Sequence, residues 1–158
     1  MLALDVRSNR IGFAAFDGNT LLDAGITRFK SPRAAIPRLV FLMRRTHPRI
    51  LVLRRILESS SRNSRGTRTI LRAAHRIAKR SSVRVAFVSQ KQIQERFLKD
   101  GITTKYEIAL FLVRAFPDLA WRLPLPRRAW QAEHRNMALF DAVALGMAYL
   151  TGNRMFAL

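Results

Sequence analysis

The chain has 158 residues, of which 49% are hydrophobic, so its length and apolar content suit one domain with a buried core. It carries 29 Lys and Arg residues against 10 Asp and Glu, and a chain with this formal net charge of +19 repels itself and attracts polyanions. The charge favours nucleic acid as the partner, with an anionic membrane surface as the second candidate. The absence of cysteine excludes disulfides and Cys-based zinc sites.

The first part of the chain predicts three strands joined by tight turns. Leu2–Val6 is an apolar run, and a second run, Ile11–Phe16, follows the turn RSNR. The sequence DGN at 17–19 favours a hairpin because Gly and Asn accept positive φ. Leu21–Phe29 is the third strand. These strands are expected to form an antiparallel meander.

The remainder of the chain predicts alternating helices and strands. Ser31 is the expected N-cap of a helix in which Pro37 marks a kink or the true start, and Thr104 and Glu107 have the spacing of a capping box. The other predicted elements are strands at Ile50–Leu53 and Val83–Val88 and helices at Thr67–Arg80, Gln90–Leu98, Thr104–Phe116 and Met137–Leu150, with an irregular stretch at Pro117–Arg135.

This order predicts an α/β fold. Its mixed five-stranded sheet has three antiparallel meander strands followed by two parallel strands, and helices flank it. No linker divides the chain, so residues 1–158 are expected to form a single nucleic-acid-processing domain. The start of the chain lacks the pattern of a signal peptide, and no apolar run is long enough to span a bilayer, so a cytoplasmic location is expected.

The carboxylates predict a candidate catalytic site. Asp141 lies in the apolar segment MALFDAVALGMAYL, where an ionised carboxylate needs either an arginine partner or a divalent metal shared with other acids. Asp5 ends the first strand, and Glu58 and Glu133 are the candidates to complete the set. Carboxylate oxygens hold Mg²⁺ or Mn²⁺, and a pair of such ions about 4 Å apart promotes phosphodiester hydrolysis.

Two basic stretches predict the surface that binds nucleic acid. The second is interleaved with Trp121 and Trp130, which either stack on unpaired bases or pack in the core. No element has the pattern of a base-reading helix, so recognition of shape or branching is expected. The candidate contacts are Arg7; Arg54, Arg55, Arg62, Arg65, Arg68 and Arg72, continuing to Lys79 and Arg80; and Arg122, Arg127, Arg128 and Arg135.

Three segments occur in an order known from one protein family. Asp5, Ser8, Gly12 and Phe13 match the opening motif D-P-G-S-x-x-x-G-aromatic. The segment from Gln92 to Lys105 matches a short helix, a Gly turn and a lysine at a helix start, and Asp141–Gly146 matches a closing D-A-L-A-x-A helix. With these three segments in this order, the chain resembles the ribonuclease H-like superfamily, and within it the RuvC-type Holliday junction resolvases.

The resemblance implies a ribonuclease H-like fold, a Mg²⁺-dependent endonuclease acting on branched DNA, and a homodimer. It implies that Asp5 and Asp141 bind the metal. It also implies that Lys105 contacts a phosphate near the scissile bond, although Lys105 also suits an ordinary helix start.

The chain departs from the family pattern at several positions. Val6 and Arg7 replace Pro and Gly, Arg54 stands where the second acid ends a strand, and Ala138 replaces an acid or His one turn before the last Asp. Glu58, and Glu133 or His134, are the candidate substitutes for the missing ligands.

Three functions are therefore considered. The first is a metal-dependent endonuclease with Asp5, Glu58, Lys105, Glu133 and Asp141 as catalytic residues and Asp5, Glu133 and Asp141 holding Mg²⁺ or Mn²⁺. The second is a non-catalytic nucleic-acid-binding module in which Arg54 and Arg55 displace the metal. The third is a nuclease that acts on RNA in ribosomal RNA maturation.

Overall fold

The computed structural model describes residues 1–56 and 65–155, so the predicted Glu58 and Arg62 lie outside the described residues. Its strands are β1 (Leu2–Val6), β2 (Arg10–Asp17), β3 (Thr20–Arg28), β4 (Ile50–Arg54) and β5 (Arg84–Val88). Its helices are α1 (Pro32–Thr46), α2 (Arg65–Arg80), α3 (Gln90–Leu98), α4 (Lys105–Ala115) and α5 (Met137–Met155), with a 3-10 helix at Pro117–Arg122.

The five strands form one mixed sheet in the order β3-β2-β1-β4-β5. The pairs β1–β2 and β2–β3 are antiparallel, whereas β1–β4 and β4–β5 are parallel, so the predicted α/β fold class is confirmed. Leu4 of β1 pairs with Leu53 of β4. The next residues along the two strands, Asp5 and Arg54, therefore lie side by side at the carboxyl end of the sheet.

Helices cover both faces of the sheet. Ala3 of β1 and Val52 of β4 pack with α3, α4 and α5, whereas Leu4 and Leu53 pack with α1 and α2. Side chains alternate between faces along a strand, so Asp5, two residues after Ala3, and Arg54, two residues after Val52, point to the α5 face. Arg7 lies one residue past the end of β1, where the same alternation continues to that face. Strand alternation thus brings Asp5 and Arg54 to one face, and Arg7 follows directly after β1.

The helix starts follow the predicted caps. The Ser31 hydroxyl accepts a hydrogen bond from the Ala34 N–H, and α1 begins at Pro32, so Pro37 lies inside the helix and does not mark its start. Thr104 and Glu107 form the predicted capping box. The Thr103 and Thr104 backbone N–H groups lower the pKa of Glu107.

Helix α5 packs closely against the sheet because glycines remove side chains at the contact. A Cβ at Gly12 would lie 1.8 Å from the Ala138 carbonyl oxygen, and a Cβ at Gly146 would lie 2.5 Å from the Phe16 ring. Gly12 is also the cross-strand partner of Asp5. Within the described ranges, no helix is both long and apolar enough to cross a membrane.

Candidate carboxylate cluster and basic cleft

The two aspartates that the sequence singles out meet where α5 crosses β1. Ala138 lies over Gly12, the partner of Asp5, and Asp141 follows Ala138 by about one helical turn. Both carboxylates are buried, with Asp5 3% and Asp141 8% exposed. Burial at this depth requires that each carboxylate has a charged or hydrogen-bonding partner.

Arg7 is the partner that the two aspartates share. Its Nε donates to Asp5 Oδ2 at 2.8 Å, its Nη1 donates to Glu133 Oε2 at 3.1 Å, and its Nη2 donates to Asp141 Oδ2. One guanidinium therefore contacts all three acids. Burial alone would lower the pKa of Arg7, but the charges of Asp5, Asp141 and Glu133 outweigh it and raise that pKa above its ordinary value.

Two further cations complete the cluster. Arg54 Nη2 lies 3.0 Å from Asp5 Oδ1 and 4.0 Å from Asp141 Oδ2. Lys105 Nζ lies 3.0 Å from Glu133 Oε1 and 3.1 Å from Asp141 Oδ2. We call these six residues, Asp5, Arg7, Arg54, Lys105, Glu133 and Asp141, the carboxylate cluster. Its three carboxylates are balanced by three cations.

The carboxylates of the cluster respond differently to their surroundings. Burial raises the pKa of Asp141, the charge of Asp5 raises it further, and the neighbouring cations only partly oppose this. Burial also acts to raise the pKa of Glu133, but Lys105 and Arg7 overcome it and lower that pKa below its ordinary value. The ion pairs therefore favour the ionised form of Glu133, whereas burial and Asp5 make ionisation of Asp141 less favourable than in water.

The predicted metal ligands Asp5, Glu133 and Asp141 come together around a guanidinium. No group of three or more His, Asp or Glu side chains in the described part of the chain is placed to hold a metal ion. Arg7 and Arg54 contact the buried aspartates, and a divalent ion would have to displace them. The arrangement present therefore does not fit a bound divalent metal.

The cluster opens to solvent through a cavity of about 380 Å³. Ser8, Thr67 and Leu71 line it together with Asp5, Arg7, Arg54, Lys105 and Glu133. Groups outside the protein can therefore reach the cluster from this side.

The remaining predicted residues lie elsewhere on the surface. His134 is exposed, and its Nδ1 accepts a hydrogen bond from the Asn136 backbone N–H. Arg55 is exposed just after β4. Contact with nucleic acid stays a prediction for Arg55 and for five further exposed arginines, which are Arg65, Arg68 and Arg72 on α2 and Arg127 and Arg128 before α5.

A second site is a cleft of about 680 Å³ that the sequence patterns do not indicate. We call it the basic cleft. Arg10 and Arg28 lie directly opposite each other in the β2–β3 pair, an arrangement that like charges disfavour. Among the residues that the structure describes, no carboxylate lines the cleft, and its charged side chains are Arg10, Arg28, Lys30, Arg38 and Arg135. Such a cleft fits a polyanion.

A β-bulge is the reason that the sequence does not show Arg10 opposite Arg28. Counting back from the turn, where Asp17 pairs with Thr20, places Arg10 opposite Thr27. A register shift between Ala15 and Phe16 moves the pairing by one residue, so that Arg10 faces Arg28. No turn or charge motif in the sequence marks that bulge.

No protein-family model matches the chain, and no curated protein sequence matches it significantly. Solved structures do match it. Thermus thermophilus RuvC superposes with a TM-score of 0.69 at 19% identity, covering 98% of this chain and 96% of that chain. The same protein in complex with a Holliday junction substrate gives a TM-score of 0.69 at 18% identity.

Two further resolvases share the architecture. The yeast mitochondrial Holliday junction resolvase Ydc2 matches with a TM-score of 0.62 at 10% identity, covering 94% of this chain and 76% of that chain. The fowlpox virus resolvase, solved with Holliday junction DNA, matches with a TM-score of 0.56 at 12% identity, covering 96% and 98%. The predicted architecture is thus confirmed, and the chain has the RuvC-like ribonuclease H fold.

Proposed function

We propose that this protein binds branched DNA, and that its carboxylate cluster is a structural centre paired with its own cations. The observation that carries the second part is the position of Arg7, whose guanidinium contacts Asp5, Glu133 and Asp141 together. Arg54, at the strand end where the resemblance expects an acid, adds a second cation beside Asp5. These contacts support the non-catalytic module over the nuclease.

The basic cleft supports the DNA-binding part of the proposal. Arg10 follows Arg7 by three residues and Arg135 follows Glu133 by two, so the cleft adjoins the cluster. A phosphate backbone lying in the cleft would relieve the repulsion between Arg10 and Arg28. Two of the structurally similar proteins, Thermus thermophilus RuvC and the fowlpox virus resolvase, have been solved with Holliday junction DNA.

A metal-dependent endonuclease is the second candidate, because one observation favours it. Asp5 and Asp141, which the resemblance implies as metal ligands, lie close to Lys105 and to the candidate substitute Glu133. The raised pKa of Asp141, due to burial and then to Asp5, reflects two buried carboxylates that lie close enough to repel each other. This function requires that Arg7 leaves the carboxylates.

One set of measurements separates the two candidates. A labelled four-way junction, a linear duplex of the same sequence and a structured RNA are titrated by fluorescence anisotropy at several salt concentrations. The same substrates are then incubated with Mg²⁺ or Mn²⁺ and resolved on denaturing gels. We expect tighter binding to the junction than to the duplex, affinity that EDTA does not change, and no cleavage.

Other results would overturn the proposal. Cleavage that Asp5→Asn abolishes and the exposed control Asp118→Asn preserves would establish the endonuclease instead. Tighter binding to structured RNA than to the junction would reject DNA as the substrate class. The homodimer also stays a prediction, and sedimentation of the protein with and without junction DNA tests it.

A further inference from the structure

The segment Pro117–Arg135, between α4 and α5, carries both tryptophans of the chain. Trp121 is 77% exposed and Trp130 is 76% exposed, so core packing is the wrong interpretation for both. Exposed aromatic rings of this size indicate an interaction surface when they occur together. The segment therefore presents two rings to a partner that the carboxylate cluster does not involve.

Arginines lie against both rings. The Arg122 guanidinium is 4.3 Å from the centroid of the Trp121 ring, and the Arg128 guanidinium is 5.3 Å from that of Trp130. Both distances are within the range of cation–π contacts. Across the ranges that the structure describes, no carboxylate forms an ion pair with Arg122, Arg127 or Arg128. Aromatic and uncompensated positive groups thus alternate along the segment.

The segment is anchored at several points. Leu119 is buried in the core, and Asn136 Nδ2 donates to the Arg122 carbonyl at 2.9 Å. The Arg128 backbone N–H donates to Gln131 Oε1 at 2.9 Å, and the Gln131 N–H donates to the Arg128 carbonyl at 3.0 Å. A partner that binds the two rings therefore meets a surface that is already ordered, which reduces the entropy lost on binding.

The end of the segment reaches the carboxylate cluster. Glu133 pairs with Arg7 and Lys105, so the two tryptophans lie on a stretch of chain tied directly to that site.

We infer that Trp121, Arg122, Arg128 and Trp130 form a stacking platform for bases that are exposed at a branch point or in a single strand. Every base has a π face that an indole can stack on, and the arginines supply contacts to the adjacent phosphates. The positive charge of the segment favours a polyanion over an apolar protein surface. The inference rests on the proposed function, since it names the part of the DNA that this segment would bind.

Intrinsic fluorescence gives a direct test because the chain has only two tryptophans, both on the platform. The protein is titrated with a forked DNA that has single-stranded arms and with a blunt duplex of equal length. We expect the fork to quench the tryptophan emission and the duplex to leave it nearly unchanged. The single-tryptophan variants Trp121→Phe and Trp130→Phe assign the quenching to each ring.

Affinity is measured in parallel by the anisotropy of labelled DNA. Trp121→Ala and Trp130→Ala are each expected to weaken fork binding about 5- to 100-fold and duplex binding less than about twofold. Both side chains are exposed, so circular dichroism should show an unchanged fold. Phe41→Ala, which removes a 59% exposed aromatic from α1, is the matched control and should change neither affinity.

The outcomes distinguish this inference from the proposed function. If the fork binds without quenching, or if the alanine variants weaken fork and duplex equally, the platform is overturned while DNA binding stands. If neither DNA binds in the anisotropy assay, the proposed function fails and the platform fails with it. If vesicles of anionic phospholipid shift the emission while the fork does not, the surface binds membrane and the platform is rejected.

Discussion

The carboxylate cluster and the basic cleft use arginine in opposite electrostatic settings. In the cluster, Arg7 and Arg54 lie against buried carboxylates, and three cations balance three acids. In the cleft, Arg10 lies across from Arg28, and no acid of the described part of the chain lines the walls. The two regions are only a few residues apart in the chain.

This difference shows that net charge alone does not assign a role to an arginine. An arginine that compensates buried acids stabilises the fold, because its removal leaves charges without partners. An arginine held opposite another arginine weakens the fold slightly and strengthens binding to an anion. Substitutions in the two regions should therefore have effects of opposite sign on stability.

The largest effect is expected from Arg7→Ala. Without the guanidinium, Asp5 and Asp141 remain buried with too little positive charge, which should cost about 3–5 kcal/mol of unfolding free energy. For a chain of this length the melting temperature should fall by roughly 10 °C, as measured by circular dichroism.

The controls for Arg7 test the geometry as well as the charge. Arg7→Lys should recover only part of the stability, because one ammonium lacks the planar fork that reaches three carboxylates. Arg76→Ala, at an exposed position on α2, should change stability by less than about 0.5 kcal/mol.

Mn²⁺ should raise the melting temperature of Arg7→Ala but not that of the unsubstituted protein. An equal rise in both would mean that the cluster accepts the ion with Arg7 present.

The next largest effect is expected from Gly12→Ala, which acts on the approach of α5 to the cluster. The added methyl group would meet the Ala138 backbone carbonyl, which cannot move without shifting the helix. Destabilisation should be about 1–3 kcal/mol or more, measured by urea unfolding.

Gly25→Ala is the matched comparison for Gly12→Ala. There the new methyl group meets the Phe13 ring at 2.8 Å, and a side chain can rotate more readily than a helix can shift. Equal destabilisation by the two variants would contradict the view that the α5 backbone sets the geometry of the cluster.

In the basic cleft the double variant Arg10→Ala/Arg28→Ala should behave in the opposite way. Removing the facing like charges should raise the unfolding free energy by about 0.2–1 kcal/mol. Junction affinity should fall about tenfold, and the slope of log K against log salt should become shallower by about 0.9 for each phosphate that the protein no longer neutralises. Arg114→Ala, an exposed position on α4, is the control and should leave the slope unchanged.

A smaller effect than that of Arg7→Ala or Gly12→Ala is expected from Glu133→Gln, and it depends on pH. The pKa of Glu133 is lowered in the folded state, so its stabilisation is present above the ordinary value of 4.5 and is lost as pH falls through the folded value. Near pH 7 the variant should be less stable by about 1 kcal/mol, or roughly 2–4 °C in melting temperature.

The comparison with the unsubstituted protein at each pH isolates Glu133. Asp141 is present in both proteins, and its raised pKa contributes with the opposite sign, because its protonated form favours folding as pH falls. The difference in melting temperature between the two proteins should therefore shrink below pH 4.5. A difference that persists unchanged at about pH 3 would show that Glu133 acts through packing and not through its charge.

Much of the fold can be predicted because its determinants are local. Gly18, in the tight turn between β2 and β3, has a φ of 54°, which the DGN signal anticipates. The caps at Ser31 and Thr104 depend on residues only three positions away. Burial of Asp141 follows from the apolar residues that surround it along α5. Each of these features is set by a short stretch of chain.

It is harder to predict which cations neutralise the carboxylate cluster, because this depends on how the strands are paired. The apolar surroundings of Asp141 imply a cation or a metal but do not name one of 29 basic residues. Period-two alternation, continued one residue past the end of β1, puts Arg7 on the same side as Asp5, and this is the signal that identifies Arg7. The parallel register that brings Arg54 beside Asp5 is a long-range pairing that no local motif encodes.

Glu133 joins two parts of the molecule, since it belongs to the segment that carries the tryptophans and pairs with Arg7 and Lys105. A ligand that pulls this segment outward therefore has to break both ion pairs, and it leaves Arg7 and Lys105 with the two aspartates alone. If a ligand weakens these ion pairs, thermodynamic reciprocity requires that breaking the ion pairs strengthens binding of that ligand by the same factor.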